Sequence, residues 1–578
     1  MTFPLQVAVR FSNRSPFIRG KLNSGCIRSI WVAVTILACI LLPSAFSKDY
    51  DVCVYGATSG GVVAALQADR MGKSVILLEP YQHVGGLTSS GLSALDVGNP
   101  ATIGGIAREY FSKLAARYGK ELKFDNYFAH TGGDFVIEPS GAEKLFLEYL
   151  AESDVTVRYD KRIRSAQMDD TRIVSITMTD GSYYNAKVFI DATYEGDLMA
   201  TAGVSYTITR EGNAKYNETG NGFSLKKYKP SIYWGVPGDN GRRADGKGIW
   251  DRDLPISPYI DPTDKTSGLL PTIKAYQGQK DGDPAPGVQA YCFRLCMTDN
   301  PDNRIPITKP DNYDPWNYEI QRRFIQACLL QGDDMDIRWF TKLDPLVNDK
   351  WDFNTATFGS NIPGLSWDWP DADWDRRKEL YDYQRDYHLG LLYFLGNDPV
   401  VPKKLRDQVK TFGLCKDEFV DNNGWPYQIY VREARRMVSD LVMTEHHCTT
   451  AVIAEKPVAM ASYGLDIHEI QRLAYNDMVV REGKSPASVR VKPYGIGYDA
   501  IVPKESECSN LLVTFAVSAS HVAFGSIRME PTFMMLSQSA ATAACQMIDE
   551  GTTIQAVNYP KLRSTILADG QILKLPQS

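Results

Sequence analysis

Hydrophobic positions change period several times along the chain, and each change predicts an element. Ile30 to Leu42 is a continuous apolar run that stands alone near the start, followed by Pro43 and small residues through Ser47. From Asp49 to Tyr55 (DYDVCVY) the apolar run is short and ends at a glycine turn, as in a buried strand. After Gly56-Ala57-Thr58-Ser59-Gly60-Gly61, the alanine-rich stretch from Val62 to Met71 predicts a helix that Gly72 closes. Lys73 to Glu79 (KSVILLE) predicts a second buried strand. Residues 155–190 are β-rich around Asp180-Gly181, which predicts a hairpin leading into a core strand at Val188 to Asp191. Leu380, Tyr383, Tyr387 and Leu391 recur at spacings of three and four and predict an amphipathic helix over 375–395. Ala434, Met437, Val438 and Leu441 predict another over 430–444, carrying Arg432, Arg435 and Arg436 for interface salt bridges or anion contacts.

Composition narrows the class. With 44% apolar and 23% charged residues, the chain is globular rather than disordered, collagen-like or coiled-coil, and 578 residues suggest about two to four domains. Ten cysteines are too dilute for a disulfide scaffold, and a net charge of −6 without a basic cluster argues against nucleic acid as partner. Residues 1–47 differ from the rest, with five basic residues and no acid. Their 13-residue apolar run is short of the roughly 20 needed to cross a bilayer but suits a cleaved signal peptide. The expected location is periplasmic or secreted, with no stable membrane span after cleavage.

The segment from Asp49 to Glu79 has the order strand, glycine turn, helix, strand, acid that a dinucleotide-binding βαβ unit requires. Gly56 allows the tight turn, Gly61 close helix–strand packing, Ser59 and Gly60 supply flexibility, and the N-terminus of the following helix favours a diphosphate. Thr58 replaces the middle glycine of the fingerprint and implies an altered path there. Glu79 is placed to accept from ribose hydroxyls and disfavours a 2′-phosphate, so FAD or NAD is expected rather than NADP. After Pro80, the Gly85-Gly86-Leu87 turn lets a loop lie flat along the cofactor, and Ala192-Thr193 follows the returning strand.

These features resemble FAD enzymes of the glutathione-reductase type. More specifically, VYGATSGGVVAALQADRMGKSVILLEP (54–80), HVGGLTSSGL (83–92), IDATYEGDLMATAGV (190–204), YVREARRM (430–437) and the run from Asn510 to Ala544 resemble the bacterial "FAD-oxidored" family of FAD-dependent oxidoreductases. That family is remotely similar to the flavin module of heterodisulfide reductase. The resemblance implies an α/β fold: a Rossmann-like FAD domain built from both ends of the mature chain (48–205 and 426–578), with an inserted α+β substrate domain at 206–425. Every tryptophan beyond Trp31 lies between Trp234 and Trp425, which marks the same insert; the indoles serve as core or as stacking platforms. Two departures bear on flavin tightness: Thr514-Phe515 stands where the family has Ala-Gly, and Ser537-Gln538-Ser539-Ala540-Ala541 replaces a glycine-bearing run.

FAD carries the electron chemistry, so the protein must hold substrate and move a proton. The resemblance places the flavin ring near His521, the first candidate base, with Arg528, Arg294 and His468 as further catalytic candidates. His83 neighbours the glycine pair, but non-covalent FAD is expected. No cysteine run suits an iron–sulfur cluster, and a single fingerprint disfavours NAD(P). No metal site is expected. The expected function is hydride transfer from a small organic substrate, a sugar derivative among the candidates, to flavin. Reoxidation would be by oxygen, a quinone or a carrier protein. A flavin-dependent isomerase or hydratase, a carbohydrate-processing lyase, and a non-catalytic binding protein with a degenerate flavin site are the alternatives.

Overall fold

Strand β1 (Asp49–Tyr55) is buried on both faces because it lies inside the main sheet. The computed structural model describes residues 49–124, 135–227, 254–356, 358–483 and 489–576. The expected leader, 1–47, and Trp234 and Trp250 lie outside the described residues. β2 (Val75–Leu78), β3 (Thr156–Arg158), β4 (Ile163–Asp169), β5 (Arg172–Met178) and β6 (Tyr183–Asp191) complete the order β3-β2-β1-β6-β5-β4, and β7 (Leu511–Val513) joins β6. Pairing is parallel through β3, β2, β1, β6 and β7, whereas β4 and β5 are antiparallel. β6 is shared: Tyr183 to Asn185 pair with β5, and Phe189 to Asp191 with β7. A strand from far along the chain thus completes the parallel core.

Helix α1 (Ser59–Arg70) is buried over most of its length between this sheet and a late helix. α2 (Trp374–Asn397) matches the predicted 375–395 and begins at Asp373, which accepts from the Arg376 N–H. Its Leu380, Tyr387 and Leu391 face the core, while Tyr383 is exposed. α3 (His521–Ile527) and α4 (Glu530–Glu550) follow β7, and α4 packs along α1 through alanines on both helices.

Residues 206–425 supply an antiparallel five-stranded sheet of Leu295–Thr298, Arg304–Pro306, Thr341–Pro345, Lys350–Thr355 and Gly413–Cys415. They also share a sheet with the C-terminal part, where Leu225–Lys227 and Ile273–Ala275 pair with Gln471–Tyr475 and Met478–Glu482. Lys48–Ser578 forms one compact unit.

One predicted helix is absent. Residues 430–444 form no helix: most lack regular structure, and only Arg436–Met437 form a strand, against Tyr206–Thr207. The reason is tertiary: Arg432, Arg435 and Arg436 are all buried, and each needs its own partners. Arg435 binds Asp197 and Asp371, Arg436 binds Glu211 and Glu433, and Arg432 reaches the Ala290 carbonyl and Asn361. A helix would turn three neighbouring guanidinium groups away from these separate sites, and buried charges without partners cost several kcal/mol.

Candidate functional site

The residues expected to hold a dinucleotide converge at the C-terminal ends of β1, β2 and β6. Gly56 has φ +96°, and a side chain there would meet Thr193 and Ala192 at 2.9 and 3.0 Å. A Cβ on Gly61 would run into the Gly56 carbonyl, so strand and helix approach this closely only through glycine. Thr58 caps α1: its Oγ1 accepts from the Gly61 N–H at 3.1 Å and donates to the Ala192 carbonyl at 2.8 Å. The side chain that replaces the middle glycine is thereby tied to the β6 end of the sheet.

Glu79 ends β2 almost fully buried. Its Oε2 accepts from the Ala57 N–H at 2.7 Å and its Oε1 from the Tyr81 N–H at 3.0 Å. Burial pushes its carboxyl up to about 7, and the two amides oppose that shift only in part. Gly85 (φ +94°) bonds back to the Ala57 carbonyl, and the Leu87 N–H donates to the Tyr194 hydroxyl. Thr193 donates to Asp191, whose carboxyl burial raises to about 6.

A cavity of about 40 Å³ lies between Thr58, Glu79, Pro80, Gly86, Thr193 and Tyr194. Tyr81, His83, Tyr427 and Gln428 line both it and a neighbouring cavity of about 370 Å³, which also contains Arg162, Trp369, Trp374 and Arg377. Tyr81 and Trp374 meet edge to face there, with the Arg162 guanidinium over both rings. His83 is held between Glu143 and Asp421 and stacks on Tyr427.

Three of the four catalytic candidates share one hydrogen-bonded network, buried around His521 and Arg528 and partly exposed at Asp466. His521 is the first residue of α3, and Ser520 caps that helix. The His521 Nδ1 lies 2.7 and 2.8 Å from the two oxygens of Glu433. Burial raises the Glu433 carboxyl, but the His521 ring bonded to it and the Arg436 guanidinium outweigh burial and hold the group below its usual range. Arg528 donates to the Tyr430 hydroxyl at 2.6 Å and to Asp466 at 2.8 Å. Asp466 also lies 3.4 Å from His468 Nε2, and the His468 N–H donates to Gln289, a neighbour of Glu433. Arg294 differs: its guanidinium forms a forked pair with Asp352, both side chains being fully buried. Its Nε and Nη2 are thereby committed to Asp352, and Nη2 also reaches the Ala94 carbonyl. Sequence reasoning passed over Glu433, Asp466, Tyr430 and Glu530. Of these, Glu433 and Tyr430 lie in a segment whose only residues singled out for contacts were its arginines.

The sequence profile of the family described as "FAD dependent oxidoreductase" matches residues 51–566. The chain belongs to this family. It is an FAD-dependent oxidoreductase, and FAD is its cofactor. No curated protein matches it. Among solved structures, it is similar to the OxyS anhydrotetracycline hydroxylase from Streptomyces rimosus at 12% identity and a TM-score of 0.23, over 29% of this chain and 38% of that one. It is also similar to THI4 from Thermovibrio ammonificans, at 14% identity and a TM-score of 0.22 over 32% and 76%. A flavoprotein/dehydrogenase from Cytophaga hutchinsonii matches at 18% and 0.21 over 29% and 47%. The chain thus spans about two fifths of the first of these proteins, and likeness at this level carries no argument about substrate.

The side chains present fit the adenosine end of FAD better than its diphosphate. Glu79, the acid expected at the ribose, lines the small cavity beside the larger one with its aromatic and guanidinium walls. At the first turn of α1, however, Ser59 donates to Glu530 at 2.6 Å, and Phe515, Phe533 and Ser537 pack over Gly60. In this conformation the diphosphate position does not fit FAD.

Proposed function

We propose that this FAD-dependent oxidoreductase is exported and oxidises a small organic substrate, with His521 taking the substrate proton. FAD, when bound, supplies the electron chemistry. The observation that carries the proposal is the His521–Glu433 pair. A carboxylate on Nδ1 fixes the N–H at that nitrogen and leaves Nε2 as the basic atom, oriented by the buried acid. Arg528, set by Tyr430 and Asp466, is the cation nearest in sequence to this base and suits an electron-rich substrate oxygen. Reoxidation by oxygen, a quinone or a carrier protein completes the reading, since the chain carries one dinucleotide fingerprint. The Trp-rich region 206–425, which lines the larger cavity through Trp369 and Trp374, serves as the substrate domain. A leader at 1–47 would direct the protein to the periplasm or beyond.

Anaerobic stopped-flow bleaching against a panel of sugars, sugar acids and amines tests this reading. His521→Ala should retain bound flavin and slow bleaching by about 10²–10⁴-fold, with partial recovery at high pH. Bleaching at the wild-type rate would remove His521 from the mechanism. The second reading, a ligand-binding protein with a degenerate flavin site, draws on Phe515, Ser537 and Glu530; flavin that never bleaches with any substrate would favour it.

A further inference from the structure

We infer that Glu530 is an internal anion occupying the diphosphate seat of the dinucleotide fold, so that FAD is seated only when this carboxylate gives way. The inference rests on the reading of the chain as an FAD-binding oxidoreductase. In a βαβ unit the anion belongs at the N-terminus of the first helix, where free N–H groups and the helix dipole meet it. Here a carboxylate from 471 residues away in sequence is bonded to that turn. Glu530 Oε2 accepts from Ser59 Oγ at 2.6 Å and Thr88 Oγ1 at 2.8 Å, while Oε1 accepts from the Tyr194 hydroxyl at 2.9 Å. These donors come from α1, from the turn after Gly86 and from the loop after β6. They are the three segments that bear the cofactor fingerprint, and Glu530 itself is 2% exposed.

The packing around this carboxylate agrees. Phe515 and Phe533 stack at 4.1 Å, and Tyr194 stands edge-on to Phe515 at 5.0 Å. A Cβ added to Gly60 would collide with Ser537 Oγ and meet Phe515 Cε2 at 2.6 Å. Phe515 and Ser537 both close the space over the first turn of α1. Room remains on the Glu79 side, in the small cavity and the larger one beside it. A diphosphate set against the buried Glu530 carboxylate would place like charges together where little water screens them.

The experiment is calorimetric titration of flavin-free full chain with adenosine, ADP and FAD at pH 8, for the wild type and for Glu530→Gln. In the wild type, ADP should bind no more tightly than adenosine, because the diphosphate finds its seat taken. In Glu530→Gln, ADP should bind at least tenfold more tightly than adenosine, and FAD at least tenfold more tightly than in the wild type. A wild type that already prefers ADP to adenosine tenfold overturns the inference alone and leaves the FAD reading intact. That comparison needs no variant, so it holds even where Glu530→Gln misfolds. A folded Glu530→Gln with unchanged or weaker FAD binding also overturns it. Absence of adenosine and FAD binding in both proteins overturns the inference and the FAD reading together.

Discussion

Glu79 offers a measurable pH signature. Its carboxyl ordinarily titrates at 4.5 and is raised to about 7 in the folded chain, chiefly by burial, with the Ala57 and Tyr81 amides acting the other way. An acid whose pKa is raised on folding stabilises the fold below its unfolded value, where both states are protonated. That contribution is lost as pH rises from 4.5 through about 7, because the unfolded chain ionises first. A shift of roughly 2.5 units at 1.36 kcal/mol per unit corresponds to about 3 kcal/mol lost across this window. Glu79→Gln is neutral at every pH and keeps a carbonyl acceptor for one of the two amides. Other buried acids, Asp191 among them, titrate in both proteins and cancel in the difference. Denaturant unfolding of wild type and Glu79→Gln at several pH values from 4 to 8 should therefore show their stability difference moving by about 3 kcal/mol in favour of Gln. A difference that stays flat would refute the assignment of a strained, buried carboxyl. The same residue predicts a binding effect: at pH 8, where the carboxyl is ionised, Glu79→Ala should weaken FAD by about tenfold to a hundredfold, the cost of losing a charged acceptor for ribose hydroxyls.

Two further predictions follow from pairs that bridge distant parts of the chain. Met297 pairs with Leu414 and Thr298 with Gly413 in antiparallel register, which sets Cys296 opposite Cys415 with sulfurs 3.9 Å apart. Oxidised glutathione should therefore take two electrons and two protons from this pair and form a Cys296–Cys415 disulfide, seen as a linked peptide before reduction, and alkylation of both thiols after that treatment would exclude it. Arg377 on α2 forks onto Asp197 while Arg435 reaches the same carboxylate, so Arg377→Met should lower unfolding free energy by about 3 kcal/mol, and a loss under 1 kcal/mol would mean that Arg435 alone compensates the buried charge.

Local chemistry was the part of this molecule most open to reading from the chain. The strand–turn–helix–strand unit from Asp49 to Glu79 was legible because each step is decided within a few residues: a positive-φ glycine, a cap, an apolar run, an acid at a strand end. The hairpin at Asp180-Gly181 and the helix at 374–397 were legible for the same reason. The predicted helix over 430–444 failed because its apolar spacing is helical, whereas its arginines answer to Asp197, Glu211 and Glu433 and so select a non-helical path. Periodicity measures what one face of an element buries; it is silent about where three charges must end.

The candidate site divides along the same line. Gly56, Thr58, Glu79, Gly85 and Gly86 carry their meaning in their spacing, and the fold brings them together as that spacing requires. Glu433 and Glu530 carry theirs only through partners, His521 at a separation of 88 residues and Ser59 at 471. Neither acid belongs to a motif whose chemistry can be read alone. Phe515 and Ser537 were visible as departures, but a lost glycine says only that space is taken, not what fills it. The filling group proves to be a carboxylate bound to the turn that prefers anions, because a buried acid needs donors and the first turn of α1, with Thr88 and Tyr194 beside it, supplies them. A buried acid that finds its donors at that turn can in this way compete with the ligand for which the fingerprint was built.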